Sequence, residues 1–456
     1  MSANFFEICI VGLGPAGIGA AYRLSKSNLA KNVLCIESGE RAIKKHCQIL
    51  YGRCCEFESP CQMISGVGGC SLLASGKISG YPAGGGLVSI LGSPELAKMK
   101  LNKSMELLKE LVPLQDAIVS PDQTAAERSF RDLGFSYRFY PICNVRQDQL
   151  VEGCETFFSD AKAAGMSILL NTEVTKIEVK NQLFMLTATC HKKRIAIHAR
   201  KIVVAVGRLG QKLMRPVSRI PRSCSEVYHL DVGVRLEFPT EVFPEIDKYH
   251  KDLKLVFDGA RTFCVCKNGI VAPYKYGDIF LLEGYYNPER KSGLTNLSIM
   301  VRFAPSKQNI RTFNKVRRMV KKVGGGKPVR QILSNYLGNK RNFAQNPGNC
   351  ASSNSFWVWG NVDQCFPPKV AKRVNLAVGH FATRLLPKSA WQETSVFAPE
   401  ADCRLIPPIN TGFRLMPGLY LAGDCTGRFR GILQAFCSGV ECADGIIGEF
   451  NADARD

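Results

Sequence analysis

The sequence predicts an α/β fold: a doubly wound, Rossmann-type nucleotide-binding domain joined to a second, mostly β domain, with a helical insertion. Three observations point to it. A hydrophobic run, Glu7-Ile8-Cys9-Ile10-Val11, meets Gly12-Leu13-Gly14-Pro15-Ala16-Gly17, and Glu37 follows twenty residues after Gly17. From Gln211 to Thr394 the chain changes to short strand-like pieces. The last fifty or so residues return to a strand that ends on Gly423-Asp424 and then a helix.

Ile8 to Val11 reads as a buried parallel strand, Pro15 to Lys26 as the helix after it, and Asn32 to Ile36 as the second strand. Each glycine between them has its own task. Gly12 allows the sharp turn, Gly14 lets backbone approach a pyrophosphate, and Gly17 lets helix and sheet pack closely. The helix start offers unpaired N–H groups and a positive dipole end to an anion. Glu37 is expected to accept hydrogen bonds from the two hydroxyls of an adenosine ribose, so that Glu37→Ala would loosen the nucleotide without unfolding the chain.

At 456 residues the chain is long enough for two lobes, and 45% hydrophobic residues fits a globular fold. Nineteen cysteines show neither a zinc spacing nor a disulfide framework, and no signal-peptide pattern precedes the first strand. A cytoplasmic protein with reduced thiols and no metal site is the expectation. No apolar run reaches the ~18 residues of a membrane span. A net charge of +21 comes largely from His191 to Arg222 and from Arg311 to Arg330. These are either solvated faces or an attraction for an acidic partner. No RNA-binding or helix-turn-helix motif adds weight to nucleic acid.

Onward, Cys61 to Gly92 is rich in glycine and small residues, and about thirty residues of plain surface loop would be unusual in a compact fold. The stretch from Gly68 to Lys77 therefore reads as backbone laid against a flat ligand. Ser93-Pro94-Glu95 caps a helix, Ser120-Pro121 opens another that ends near Gly134, and Asp148 caps a third that stops at Gly165. The first two read as an inserted helical pair. Ser167 to Leu170, Glu173 to Val179 and Leu183 to Cys190 read as an antiparallel meander leading to a buried strand, Lys201 to Gly207.

In the middle region strands are expected at Asp231 to Phe238, Thr262 to Cys266, Ile279 to Tyr286 and Leu297 to Phe303, then a basic helix from Gln308 to Val323. Gly324 to Lys327 lacks the Walker spacing and reads as a loop. Gly418 to Asp424 is a short strand, and Gly431 opens the last helix, whose N-terminus can meet a carbonyl or a developing negative charge. The expected domains are residues 1–92, 136–210 and 395–456 for the nucleotide-binding domain, 93–135 for the helical insertion, and 211–394 for the substrate or cap domain.

The set Gly12-x-Gly14-x-x-Gly17 with Glu37, Ala205-Val206-Gly207 and Gly423-Asp424 resembles the FAD-binding fold of the glutathione-reductase class. More closely, the chain resembles the FAD-dependent, or NAD(FAD)-utilising, dehydrogenases. Gly68 to Lys77, Asp231 to Glu237, Arg261 to Cys266 with Asn268-Gly269, and Glu393-Thr394 carry that likeness. It implies one non-covalent FAD. Gly12, Gly14, Pro15, Ala16, Gly17, Glu37 and Ser38 would hold its ADP half, with the backbone of Val174 at the adenine and Gly207 nearby. Gly423, Asp424, Gly431, Ile432 and Leu433 would line the ribityl and flavin half.

Lys77, Arg235, Glu393, Arg428 and Arg430 are the candidates for the substrate side, each also readable as a structural ion pair or a solvated charge. Cys425, beside Gly423-Asp424, is the thiol to test, whereas Cys264 and Cys266 should point to opposite strand faces and pack. Arg428-Phe429-Arg430 stands before Gly431 where such relatives carry a Tyr-Ala-Gly approach to the last helix. A second Gly-x-Gly-x-x-Gly is absent, so NAD(P)H would serve only as a transient donor. The expected activity is an FAD-dependent oxidoreductase acting on a small anionic or electron-rich molecule. The alternatives are a flavoprotein acting on RNA or another polyanion, and a flavin-binding partner protein without turnover.

Overall fold

The computed structural model describes residues 4–51, 53, 55, 60–72, 76–114, 122–219, 226–286, 291–338 and 350–453. The first strand, Asn4–Val11, is apolar on both faces from Ile8 onward, and the fold buries it at the centre of a parallel sheet. Val33–Ile36 and then Ser167–Leu169 lie on one side, and Lys193–Val204 and Leu419–Leu421 on the other. Arg414–Met416 closes that edge in antiparallel pairing. The first helix, Pro15–Ser25, packs along the last, Ile432–Asp453. Gly439 makes that contact feasible, since a Cβ there would stand 1.9 Å from the Ala16 carbonyl oxygen.

Two features differ from the expected meander. Ser167–Leu169 joins the parallel sheet beside Val33–Ile36. The meander itself is Thr172–Lys180, Leu183–Cys190 and the outer half of Lys193–Val204. That last strand is continuous: its first residues pair with the meander, and Lys201 to Val204, buried throughout, run beside Ile8 to Val11.

The second sheet has eight strands in the order Val358–Trp359, Val329–Ile332, Ser395–Leu405, Tyr228–Pro239, Leu294–Ser306, Ala260–Cys266, Leu255–Phe257 and Ser136–Tyr137. The expected strands of the middle region are present, and a hairpin of Ile270–Tyr276 with Ile279–Tyr285 accompanies them. Ser395–Leu405, buried along its whole length, pairs with Tyr228–Pro239 and Val329–Ile332. The return to the first sheet therefore comes after Leu405 and not at residue 395. The 18-residue helix Pro368–Leu385, which the sequence reading passed over, also packs on this sheet.

The helices near the insertion differ in detail. Ser93 Oγ caps Pro94–Lys109 by accepting from Leu96 N at 3.1 Å. Ser120-Pro121 lies outside the described residues. The helix after it runs Gln123–Asp132 and is capped by Asp122. These two do not act as one inserted pair: the first lies against Ile432–Asp453, the second against Ser136–Tyr137 of the second sheet. The third helix, Gln147–Ala163, starts behind Arg146, with Asp148 inside its first turn paired to that arginine. Among the described residues no helix is long and apolar enough to cross a membrane. The basic helix Asn309–Gly324 buries Phe313, Val316 and Val320 and leaves Arg311, Lys315, Arg318, Lys321 and Lys322 exposed.

Candidate functional site

The parallel strands of the first sheet point their C-terminal ends at a cavity of about 1530 Å³ whose far wall belongs to the second sheet. It is larger than the ~300–1,000 Å³ of a typical small-ligand pocket.

At one end lies the glycine turn. Gly12 takes φ +95° and donates to Ile36 O at 2.7 Å; a Cβ on it would meet Ala205 O at 2.5 Å. Gly14 is the N-cap of the first helix and offers no side chain to the first-turn N–H groups, so that end faces the cavity bare, flanked by Pro15 and Ala16. Gly17 does not line the cavity. Its Cβ would stand 1.8 Å from Gly12 O, which is the close-packing task expected of it. Glu37, Ser38, Val174 and Gly207 all line this end.

Glu37 is busier than the sequence reading allowed. Its Oε2 accepts from Leu13 N at 2.7 Å, and its Oε1 accepts from Gly39 N and Gly66 N, both at 2.9 Å, and from Ser38 Oγ at 3.1 Å. One buried carboxylate thus fastens the glycine turn to two other loops, while Oε2 keeps a lone pair for a further donor.

The other end is a cluster of alternating charge. Gly423 takes φ +76°, and after it Asp424 has Arg404 at 3.4 Å, Arg208 at 3.6 Å and Arg430 at 3.9 Å. Arg430 forms its closest ion pair with buried Asp402 and lies 4.9 Å over the Phe263 ring. Burial, followed by the charges of Arg208 and Arg261, brings its guanidinium down to about 10, still protonated at neutral pH. Gly431 and Ile432 line this end, while Leu433 is 1% exposed and faces the core. Five buried polar atoms of wall residues have no hydrogen-bond partner among the described residues, Arg208 Nε, Arg261 Nε, Asp402 Oδ1, Arg428 Nη1 and Gln434 Oε1, and of these the last two also belong to no ion pair there. Gln434 is held in place by its Nε2, which donates to Ser79 O at 2.9 Å and Ala83 O at 3.2 Å.

Lys77 reaches the same cavity, but its ammonium is engaged by the Val265 carbonyl and by Asp252 at 3.3 Å. Burial pulls its pKa down, and Asp252 with the two nearby thiols outweighs this and holds it above the usual lysine value.

Three candidates fall elsewhere. Glu393 is exposed beside the turn Lys388–Gln392, outside the cavity wall. Cys425 is fully buried, donates to Ala422 O at 3.1 Å, and burial pushes its thiol up to about 12, the opposite of a reactive nucleophile. Arg235 is fully buried in the second sheet on Glu400, Asn296 and Ser298. Arg208, Arg261 and Phe263 line the cavity although none is among the expected site residues; Arg261 and Phe263 lie in the segment Arg261 to Cys266 that carries the family likeness. Arg208 had one local signal: it directly follows the glycine that ends a buried strand.

No protein-family model matches the chain, and no curated protein matches it in sequence. Solved structures that align over most of the chain include a geranylgeranyl bacteriochlorophyll reductase-like protein from Thermoplasma acidophilum. Its TM-score is 0.43 at 12% identity, covering 99% of this chain and 80% of that one. A flavoprotein/dehydrogenase from Cytophaga hutchinsonii gives 0.40 at 12% identity, with 98% and 79% covered. L-amino acid deaminase from Proteus vulgaris gives 0.39 at 13%, with 98% and 95% covered.

Proposed function

We propose that this chain is an FAD-dependent oxidoreductase acting on a small anionic or electron-rich molecule held between the two sheets. One observation carries the reading: a single cavity runs from the bare helix start at Gly14 and the carboxylate of Glu37 to a cationic end where Arg428 Nη1 and Gln434 Oε1 stand unpartnered. The donor set fits the group. First-turn N–H groups of Pro15–Ser25 would take the pyrophosphate, and the remaining lone pair of Glu37 Oε2 a ribose hydroxyl. Asp424 would take a hydroxyl of the ribityl chain, and Gln434 Oε1 an N–H of the ring.

When bound, the flavin supplies the electron transfer; this chain supplies position and field. Arg428 and Arg430 hold positive charge where a substrate anion or developing negative charge would sit, in a cavity lined from both sheets. Arg430 keeps its orientation through Asp402 and Phe263. A pyridine nucleotide would act as a transient donor entering the same cavity. In the domain division we propose, the nucleotide-binding domain resumes after Leu405, and the cap comprises the second sheet with its two long helices. The exposed lysines and arginines of Asn309–Gly324 sit on the outer side of an amphipathic helix, which accounts for that part of the charge without a partner.

Arg430→Ala is expected to leave bound flavin in place and to slow its reduction or reoxidation about ten- to a hundredfold, the range for losing one charge-assisted hydrogen bond of about 1.5–3 kcal/mol. Anaerobic stopped-flow traces with any donor and acceptor that work on wild type check this. Superimposable traces would reduce Arg430 to a structural partner of Asp402.

A further inference from the structure

In a regular strand, residues two apart such as Cys264 and Cys266 share a face, with Cα atoms about 6.6 Å apart. The strand Ala260–Cys266 is not regular. It keeps register with Leu294–Ser306 from Ala260 to Phe263, then shifts, so that Cys266 pairs with Asn296. At the shift Cys264 takes φ +49°, a left-handed conformation that a side-chain-bearing residue seldom adopts. Across this irregularity the two sulfurs lie 3.9 Å apart. The expectation of opposite faces is corrected: the two-residue period of a strand itself places both side chains on one face, and the sulfurs are in contact.

Cys264 is partly exposed and lines the cavity, with Cys266 behind it at 1% exposure. Two buried cations flank the pair. Lys77 Nζ donates to the carbonyl of Val265, between the cysteines, and Arg235 Nη1 donates to Cys264 O at 3.2 Å. Gly284 leaves room for the inner sulfur, since a Cβ there would lie 2.7 Å from Cys266 Sγ. A thiol donating to a neighbouring thiolate, with two cations beside it, lets the pair release one proton readily and hold the second. The site can thus carry a nucleophilic thiolate where a buried, isolated cysteine could not.

We propose that Cys264 and Cys266 form a redox-active dithiol in the cavity wall that exchanges with small disulfide-containing molecules and closes to an intrachain disulfide. The Cys264 proton passes to Cys266 across their contact, and the Cys264 thiolate so formed attacks one sulfur of the external disulfide; that S–S bond breaks and the first small thiol leaves, taking up the proton the pair released. Cys266 then attacks Cys264 Sγ in the mixed disulfide. The bond to the external sulfur breaks and the second small thiol leaves with the Cys266 proton. Two protein thiols lose two electrons and the external disulfide gains them. The sulfurs need to close from 3.9 Å to the ~2.05 Å of a disulfide, and side-chain rotation at the bulge serves this. The step does not require bound flavin, so it stands or falls separately from the flavin reading.

The test equilibrates the full chain in buffers of graded reduced and oxidised glutathione, quenches with acid, alkylates free thiols and digests with trypsin. Cleavage after Arg261 and Lys267 releases Thr262–Lys267, which holds both cysteines and no others. As the buffer becomes oxidising, that peptide is expected to pass in one sigmoidal transition from doubly alkylated to unalkylated and two hydrogens lighter. Cys266→Ser should trap glutathione on Cys264, and Cys264→Ser should leave Cys266 without an adduct. A wild-type peptide that stays doubly alkylated at every ratio, or that carries glutathione without forming the internal disulfide, would overturn the proposal.

Discussion

Arg235→Met is expected to destabilise the protein by about 3–5 kcal/mol, the cost of breaking a buried ion pair by removing one partner. Arg235 is fully buried, and its guanidinium spans Glu400 in two bonds of 2.7 and 2.9 Å, Asn296 at 2.7 Å and Ser298 at 2.7 Å. These residues belong to three adjacent strands of the second sheet. Methionine fills much of the volume but leaves the Glu400 carboxylate buried and unpaired. Urea unfolding should show a lower midpoint. The double variant Arg235→Met with Glu400→Gln should recover part of the loss, because no uncompensated charge then remains. A single variant as stable as wild type would mean that the pair does not brace the sheet.

Glu37→Ala is expected to weaken the protein even before any nucleotide is added. Three buried backbone N–H groups, those of Leu13, Gly39 and Gly66, would lose their acceptor. Each unsatisfied donor costs about 1–3 kcal/mol, with water entering from the cavity holding the sum toward about 3 kcal/mol. This replaces the sequence-based expectation of a purely nucleotide-binding defect. Thermal unfolding of flavin-free protein separates the two effects. If the flavin-free variant melts with wild type, Glu37 acts through the nucleotide alone.

The opening of the chain was legible because its constraints are local. A turn out of a buried strand, a bare helix start and a close helix contact each demand glycine at one spacing, and Gly12, Gly14 and Gly17 meet those demands in the fold. The Glu37 contacts were not legible, since they depend on Gly66 arriving from a loop 29 residues away. Ser395–Leu405 went to the wrong sheet for a related reason. A strand buried on both faces carries no alternation to report which neighbours it joins. The shared face of Cys264 and Cys266 follows from the two-residue period of a strand, and only the register shift between Phe263 and Cys266 lay beyond the sequence, because pairing partners impose it. Arg235 and Arg430 are chemically alike in the sequence. Only the surrounding strands make one a brace and leave the other on the cavity wall.

The central claim, that the long cavity between the sheets holds FAD, is tested most directly by purifying the full chain, recording its visible spectrum, and identifying by chromatography what heat denaturation releases. The account predicts a yellow protein that releases one FAD, and not FMN, per chain. A colourless protein that neither retains nor takes up FAD on incubation would contradict it.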